Sequence, residues 1–149
     1  MSSLQEAVAQ RTEMAYQEFD ASVRRTAEDR TDWKPEGGRS VLEIVREVAE
    51  VNERWASILR NGKWVGYDPA REAPSFLPTL SVARAHLRTT TGLFVTEVRG
   101  FPDSRLQNTI SVPWGDITGE TALFHALWHM SYHEGQIGYL QTMYGDLGE

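Results

Sequence analysis

Cysteine is absent from this 149-residue chain. That excludes disulfides, thiolate catalysis by the protein's own side chains, and sulfur-ligated metal sites. No apolar run approaches the roughly 20 residues needed to span a bilayer. The opening MSSLQEAVAQRTEM lacks the apolar stretch of a signal peptide. A cytoplasmic protein with no membrane partner is the expectation. Basic clusters are missing too. The 15 Lys and Arg against 21 Asp and Glu leave a net charge of −6, which argues against a nucleic-acid partner, since phosphate tracking needs grouped cations. No internal repeat or low-complexity segment occurs, and one domain over residues 1–149 is the simplest reading of the length.

What the chain does have is a long helical segment, Thr118–Tyr144, carrying His125, His129 and His133 at four-residue steps. Residues four apart advance about 400° and stack on one side of a helix. Thr118 is placed to cap it, Glu120 suits its positive end, and Gly145 follows its last apolar residues. Two imidazoles one turn apart can meet on one metal ion. His125 and His133 are two turns apart, roughly 12 Å along the axis, so the pair is His125/His129 or His129/His133. The phrase His133-Glu134-Gly135-Gln136 sets a small residue and an amide beside His133, which favours His129/His133 with His125 as a neighbour.

Three more helices precede it. Ser3-Leu4-Gln5-Glu6 has capping-box spacing and opens a helix to about Thr26, with Leu4, Val8, Met14, Ala15, Phe19 and Val23 as its apolar stripe. A Pro- and Gly-containing loop, residues 28–38, follows, its Trp33 expected to fold back on the core. Ser40 caps a second helix, Val41–Asn61, striped by Val41, Ile44, Val45, Val48, Val51, Trp55, Ile58 and Leu59. Glu43 and Glu50 project to water, Glu47 lies on the stripe's border, and Asn52 falls inside it. Residues 61–79 hold three prolines and no periodicity, a long loop that packs over a site or wraps as a connector. A third helix spans about Leu80–Arg99, with a bend expected at Thr89-Thr90-Thr91-Gly92. Thr109–Asp116 alternates weakly and allows one short hairpin. The pattern is all-α, a four-helix bundle with long loops.

In this order the signals resemble the DinB-like (YfiT-like) family of metalloenzymes. The resemblance rests on Trp33-Lys34-Pro35, the helix start at Ser40, Val112-Pro113-Trp114-Gly115, and above all His129-x-x-x-His133-Glu134-Gly135-Gln136-Ile137. It implies an up-down-down-up bundle, frequent dimers, and a metal held by three histidines, two of which match His129 and His133. The third normally stands in a phrase Ile-x-x-His-x-x-Glu on the second helix. Here that phrase is Ile44-Val45-Arg46-Glu47-Val48-Ala49-Glu50, with Glu47 in the histidine's place. Two histidines and a carboxylate are a recognised metal set. The other outcome is a decayed site. Were Glu47 to face water, Asn52 or His125 would have to stand in.

The resemblance implies a divalent-metal enzyme with a small-molecule substrate, activating a low-molecular-weight thiol for S-transfer. A hydrolase using bound water, and a non-catalytic bundle, are the alternatives. A mixed nitrogen and oxygen set suits zinc or nickel first, then iron or manganese. Glu134 and Gln136 are the candidates for orienting ligands or substrate. Phe124, Trp128 and Tyr132 form a second apolar row on the last helix, away from Leu123, Leu127 and Met130. Either a loop covers that row or a second copy does, and a homodimer is the expectation.

Overall fold

The computed structural model describes residues 3–145. Its long helices are α1 (Leu4–Arg24), α2 (Val41–Asn61) and α3 (Leu80–Arg99). After the antiparallel hairpin β1 (Thr109–Val112) and β2 (Gly115–Thr118) come a short α4 (Gly119–Leu123) and α5 (His125–Met143). All but α5, which follows Phe124 directly, start where a hydroxyl satisfies free amides. Ser3 accepts from Glu6 N–H and Thr79 from Val82 N–H. Thr118 accepts from Thr121 N–H. Ser40 and Glu43 form a full capping box on α2. Gly62, at φ 68°, closes α2 in the left-handed conformation that suits glycine.

Side-chain pairs fix the helix directions. Asn52 meets Thr91, and Arg60 meets Glu97, so α2 and α3 run parallel. Asp20 meets Arg84 while Glu6 meets Arg99, so α1 opposes α3. Trp55 stacks on His125 while Asn52 reaches Met130 further along, so α2 opposes α5. The bundle is therefore up-down-down-up. A parallel α2–α3 pair demands a connection running the length of the bundle, which is why residues 62–79 are long. Trp64 anchors that loop edge-on to Trp55, and Leu77 is fully buried.

The core is the apolar stripe of α2 and its neighbours. All eight stripe residues on α2 are buried, along with Phe19, Leu87, Phe94, Leu123, Met130 and Ile137. Burying each large apolar side chain contributes about 1.5–3 kcal/mol. Trp33 packs edge-to-face on Tyr144 and against the core.

Four expectations need correction. Met14 is exposed, because Gln5, Thr12 and Ser22 share the inner face of α1 with the apolar residues, and α1 ends at Arg24. Glu50 does not reach water: it is 3% exposed and paired with Arg54 at 2.8 Å. By contrast, the Thr89–Gly92 stretch, poor helix material, lies inside the span of α3, where Thr90 and Thr91 are buried. The closing helix is two pieces, broken at Phe124, whose N–H bonds back to Thr121 in a tighter turn before α5 begins.

Candidate metal centre

His129 and His133 occupy the inner face of α5, 7% and 4% exposed. Their Nε2 atoms face each other at 3.0 Å. Opposite them on α2, Glu47 places Oε1 at 3.6 Å from both. Its position at the border of the α2 stripe explains this: the side chain can lean inward while remaining 23% exposed. The second carboxylate oxygen, Oε2, pairs with Arg39 from the loop before α2. The structure thus brings together the three residues that the sequence singled out as ligands.

The donor set fits a divalent ion. A triangle with these sides has its centre about 2.0 Å from each corner, a metal–nitrogen or metal–carboxylate bond length. His133 Nδ1 donates to Gln136 Oε1 at 2.6 Å, which leaves its Nε2 as a lone pair aimed at the triangle. A ligating histidine normally has its other ring nitrogen held in this way. His129 Nδ1 is buried with no hydrogen-bond partner. Two lone-pair nitrogens and a carboxylate oxygen converge with at most one proton to share between the imidazoles, an arrangement that a cation completes.

Electrostatics keep the imidazoles neutral, as ligation requires. Burial lowers the His129 pKa to about 3, with the His133 ring and the arginines at 54 and 39 adding to the effect. Burial also lowers His133, partly offset by the Gln136 hydrogen bond. His125 falls to about 3, first by burial and then through His129. It does not join the triangle. Its ring stacks flat on Trp55 at 3.9 Å and lies 5.9 Å from the His129 ring.

The two residues expected to assist divide. Gln136 touches His133 directly. Glu134 turns away, because one residue along a helix is a rotation of about 100°, and its carboxylate accepts a hydrogen bond from Ser22 Oγ on α1 at 3.3 Å. Asn52 is fully buried but bonds Thr91 and the Met130 sulfur, so it completes the core instead. Sequence reasoning missed Arg39. It sits in a loop, outside any periodic pattern, and nothing in the spacing Arg39–Glu47 marks a pair. The residue 62–79 loop flanks the centre: its Tyr67, Glu72 and Pro74 join Arg39 and Arg46 around a hollow of about 330 Å³. Trp128 and Tyr132 stay more than half exposed, uncovered by that loop or the hairpin.

The comparisons agree with this architecture. YfiT of Bacillus subtilis, described as "a probable metal-dependent hydrolase with an unusual four-helix bundle topology", superposes with a TM-score of 0.79 at 20% identity, over 95% of this chain and 87% of that one. The DinB-like protein YjoA of the same species gives a TM-score of 0.70 at 19% identity, over 92% and 91%. At such identities the likeness establishes the fold alone. Comparison with curated proteins gives no significant match. The sequence itself matches the DinB superfamily over residues 11–137, most of its length, and the chain belongs to that superfamily.

Proposed function

We propose that this protein is a metal-dependent enzyme in which Glu47, His129 and His133 hold a divalent cation, zinc or nickel first, and that it joins an intact low-molecular-weight thiol through its sulfur to a small electrophile, an S–C bond forming as the thiol gives up its proton and the electrophile its leaving group. The observation that carries the reading is the triangle of Glu47 Oε1 and the two Nε2 atoms, of metal-binding size and with the His133 tautomer already set. A cation held there would acidify a bound thiol or water near neutral pH. The chain's own residues do the rest. Gln136 keeps the His133 lone pair on target, Arg39 orients Glu47, and the buried setting keeps both imidazoles unprotonated.

Thiol rather than water is favoured by the carboxylates around the centre. Hydrolysis calls for a base to take a proton and return it to the leaving group. Glu43 is tied to Lys34 and the α2 cap, Glu50 to Arg54, Glu72 to the Tyr67 hydroxyl, and Glu134 to Ser22. A thiol needs less help, because a coordinating thiol loses its proton outright. The hydrolase reading is kept alive by YfiT's description. Protein purified without a chelating tag should carry about one equivalent of metal, and His129→Ala or His133→Ala should lose it with helicity unchanged. Full metal content in either variant refutes the site. Loaded protein should consume a thiol with an alkylating electrophile and leave esters and amides intact; the converse selects hydrolysis.

As for assembly, a homodimer is part of this proposal. The row Phe124, Trp128 and Tyr132 is 39%, 59% and 54% exposed, with Trp114 of the hairpin 63% exposed, an apolar face of the kind that two-fold pairing buries. Sedimentation of the purified protein tests it, and a monomer at high concentration rejects it.

A further inference from the structure

Beside the metal triangle, α5 is notched. Gly135 stands between Tyr132 and Tyr139, one turn away on either side, and the two tyrosines are 54% and 69% exposed. A Cβ built on Gly135 would meet nothing within 4 Å. Glycine inside a helix is unfavourable relative to alanine, and no close approach within the chain calls for its missing side chain here. What it leaves is the floor of a cleft of about 650 Å³, walled by Ile44, Tyr132, Tyr139, Met143 and the loop at Gly37–Gly38, and predominantly apolar. Two polar groups reach it. Gln136, which holds His133, lines it, and so does Arg39, which holds Glu47. A guanidinium carries five N–H donors. Its Nη1 pairs with Glu47 while the side chain remains 42% exposed, and Glu43 and Glu72 feel its charge from the other side.

We propose that this cleft binds the electrophilic substrate, a small molecule with a flat apolar body and one anionic group, the body lying in the Tyr132–Gly135–Tyr139 notch and the anion meeting the exposed part of Arg39 that lines the cleft. The assignment rests on the metal reading for what happens next to the body, and stands independently of it for binding. Charge complementarity selects this occupant: the cleft has apolar walls and one cation at the end nearest the triangle. Pockets of this size with mostly apolar walls and one or two fixed polar groups are characteristic of small-molecule sites. Arg39 thereby touches substrate with its exposed part and positions the Glu47 ligand with Nη1.

The test uses two probes of one shape, 2-naphthoate and its uncharged amide, 2-naphthamide, titrated calorimetrically into the full chain. Wild type is expected to favour the acid by about tenfold, the size of one charge-assisted contact. Arg39→Gln should erase the preference, and Arg39→Lys should retain part of it, which a loss of folding would not produce. Gly135→Ala should raise the melting temperature by about 2 °C, as a helix glycine replaced without strain does, while weakening both probes. Gly135→Leu should abolish binding of both. The doubly substituted His129→Ala, His133→Ala protein should bind the acid as wild type does, so failure of the metal site and failure of the cleft are separable. Equal affinity for acid and amide, or binding that survives Gly135→Leu, overturns the proposal. So does a dimer that Gly135→Leu splits without changing probe affinity, since the notch would then belong to a second copy.

Discussion

Acid should destabilise the metal-free protein well above the pH at which its carboxylates titrate. His125 and His129 are held near pKa 3 by burial against an unfolded value near 6.5. A histidine whose pKa is depressed in the folded state binds its proton preferentially when unfolded. Its contribution is therefore present above pH 6.5 and is lost as pH falls below that value, until the folded pKa is reached. Between pH 7 and pH 5 each such group removes about 2 kcal/mol, so the pair removes about 4. For a chain of this size that is roughly 8–16 °C in melting temperature. Burial lowers His133 and His86 as well, in the same sense. Glu50 and Glu72 act oppositely, since burial raises them. The comparison that isolates the effect is His125→Phe, which keeps the stack on Trp55 and removes one titrating group. Its melting temperature, measured by circular dichroism in a chelator from pH 7 to pH 5, should fall by roughly 4–8 °C less than that of wild type, the share of one such histidine. Equal slopes for the two proteins would refute the reasoning, because the carboxylates are common to both.

Replacing Gln136 by Leu should leave the fold intact and lower metal affinity about 10–100-fold, the usual consequence of removing the partner that holds a ligating histidine; competition with a fluorescent chelator reads it. Gly119→Ala should be severely destabilising by thermal melt, because a Cβ there would meet Arg105 O at 2.4 Å and the Phe101 ring at 2.9 Å. Saturating the wild-type protein with zinc at about 1,000 times its Kd should raise stability by about 4 kcal/mol at pH 7. Most of that gain should persist at pH 5, because burial holds the His129 pKa near 3 and lowers that of His133, so protons do not yet displace the ion from the folded protein.

Much of this molecule was legible in its residues. The limits of α2 and α3 agree with their caps and stripes because capping and 3.6-residue periodicity are local properties. Helix rise narrows the pair to His125/His129 or His129/His133, the phrase His133-Glu134-Gly135-Gln136 favours the second, and the inward lean of Glu47 follows from its angular place on α2. Two of the departures concern solvent, beside the earlier end of α1 and the break at Phe124. Glu50 was read as facing water because helix angle alone says nothing of a neighbouring loop, yet the i,i+4 spacing to Arg54 carried the signal of its partner. Met14 was read as core because it is apolar, although Thr12 and Ser22 sit on the buried face with satisfied hydroxyls. Arg39 and the cleft were invisible for a different reason: both depend on where a loop comes to rest against α5, a long-range result that no local pattern encodes.

The carboxylate at position 47 and the guanidinium at position 39 are best understood as one unit. A carboxylate beside two neutral, buried imidazoles lacks a positive partner in the ion-free protein, and Arg39 provides it. Once a dication is bound, Glu47 lies between two positive charges and offsets both. Replacing it with histidine would supply a good third nitrogen but leave Arg39 facing the ion unscreened. At an effective dielectric near 20 that repulsion is on the order of 1 kcal/mol or more for a half-exposed arginine. Glu47→His alone should therefore bind zinc or nickel with affinity at or modestly above that of wild type, whereas Glu47→His combined with Arg39→Gln should bind about tenfold more tightly than the single variant. Arg39→Gln in the wild-type background should change zinc affinity much less, because loss of the repulsion is countered by loss of the group that orients Glu47. A double-mutant cycle of zinc affinities gives the coupling directly, and neighbours of this kind typically couple by about 0.5–3 kcal/mol. Strict additivity of the two substitutions would mean that Arg39 and the ion do not sense one another, and that the carboxylate at position 47 has no electrostatic need of its partner.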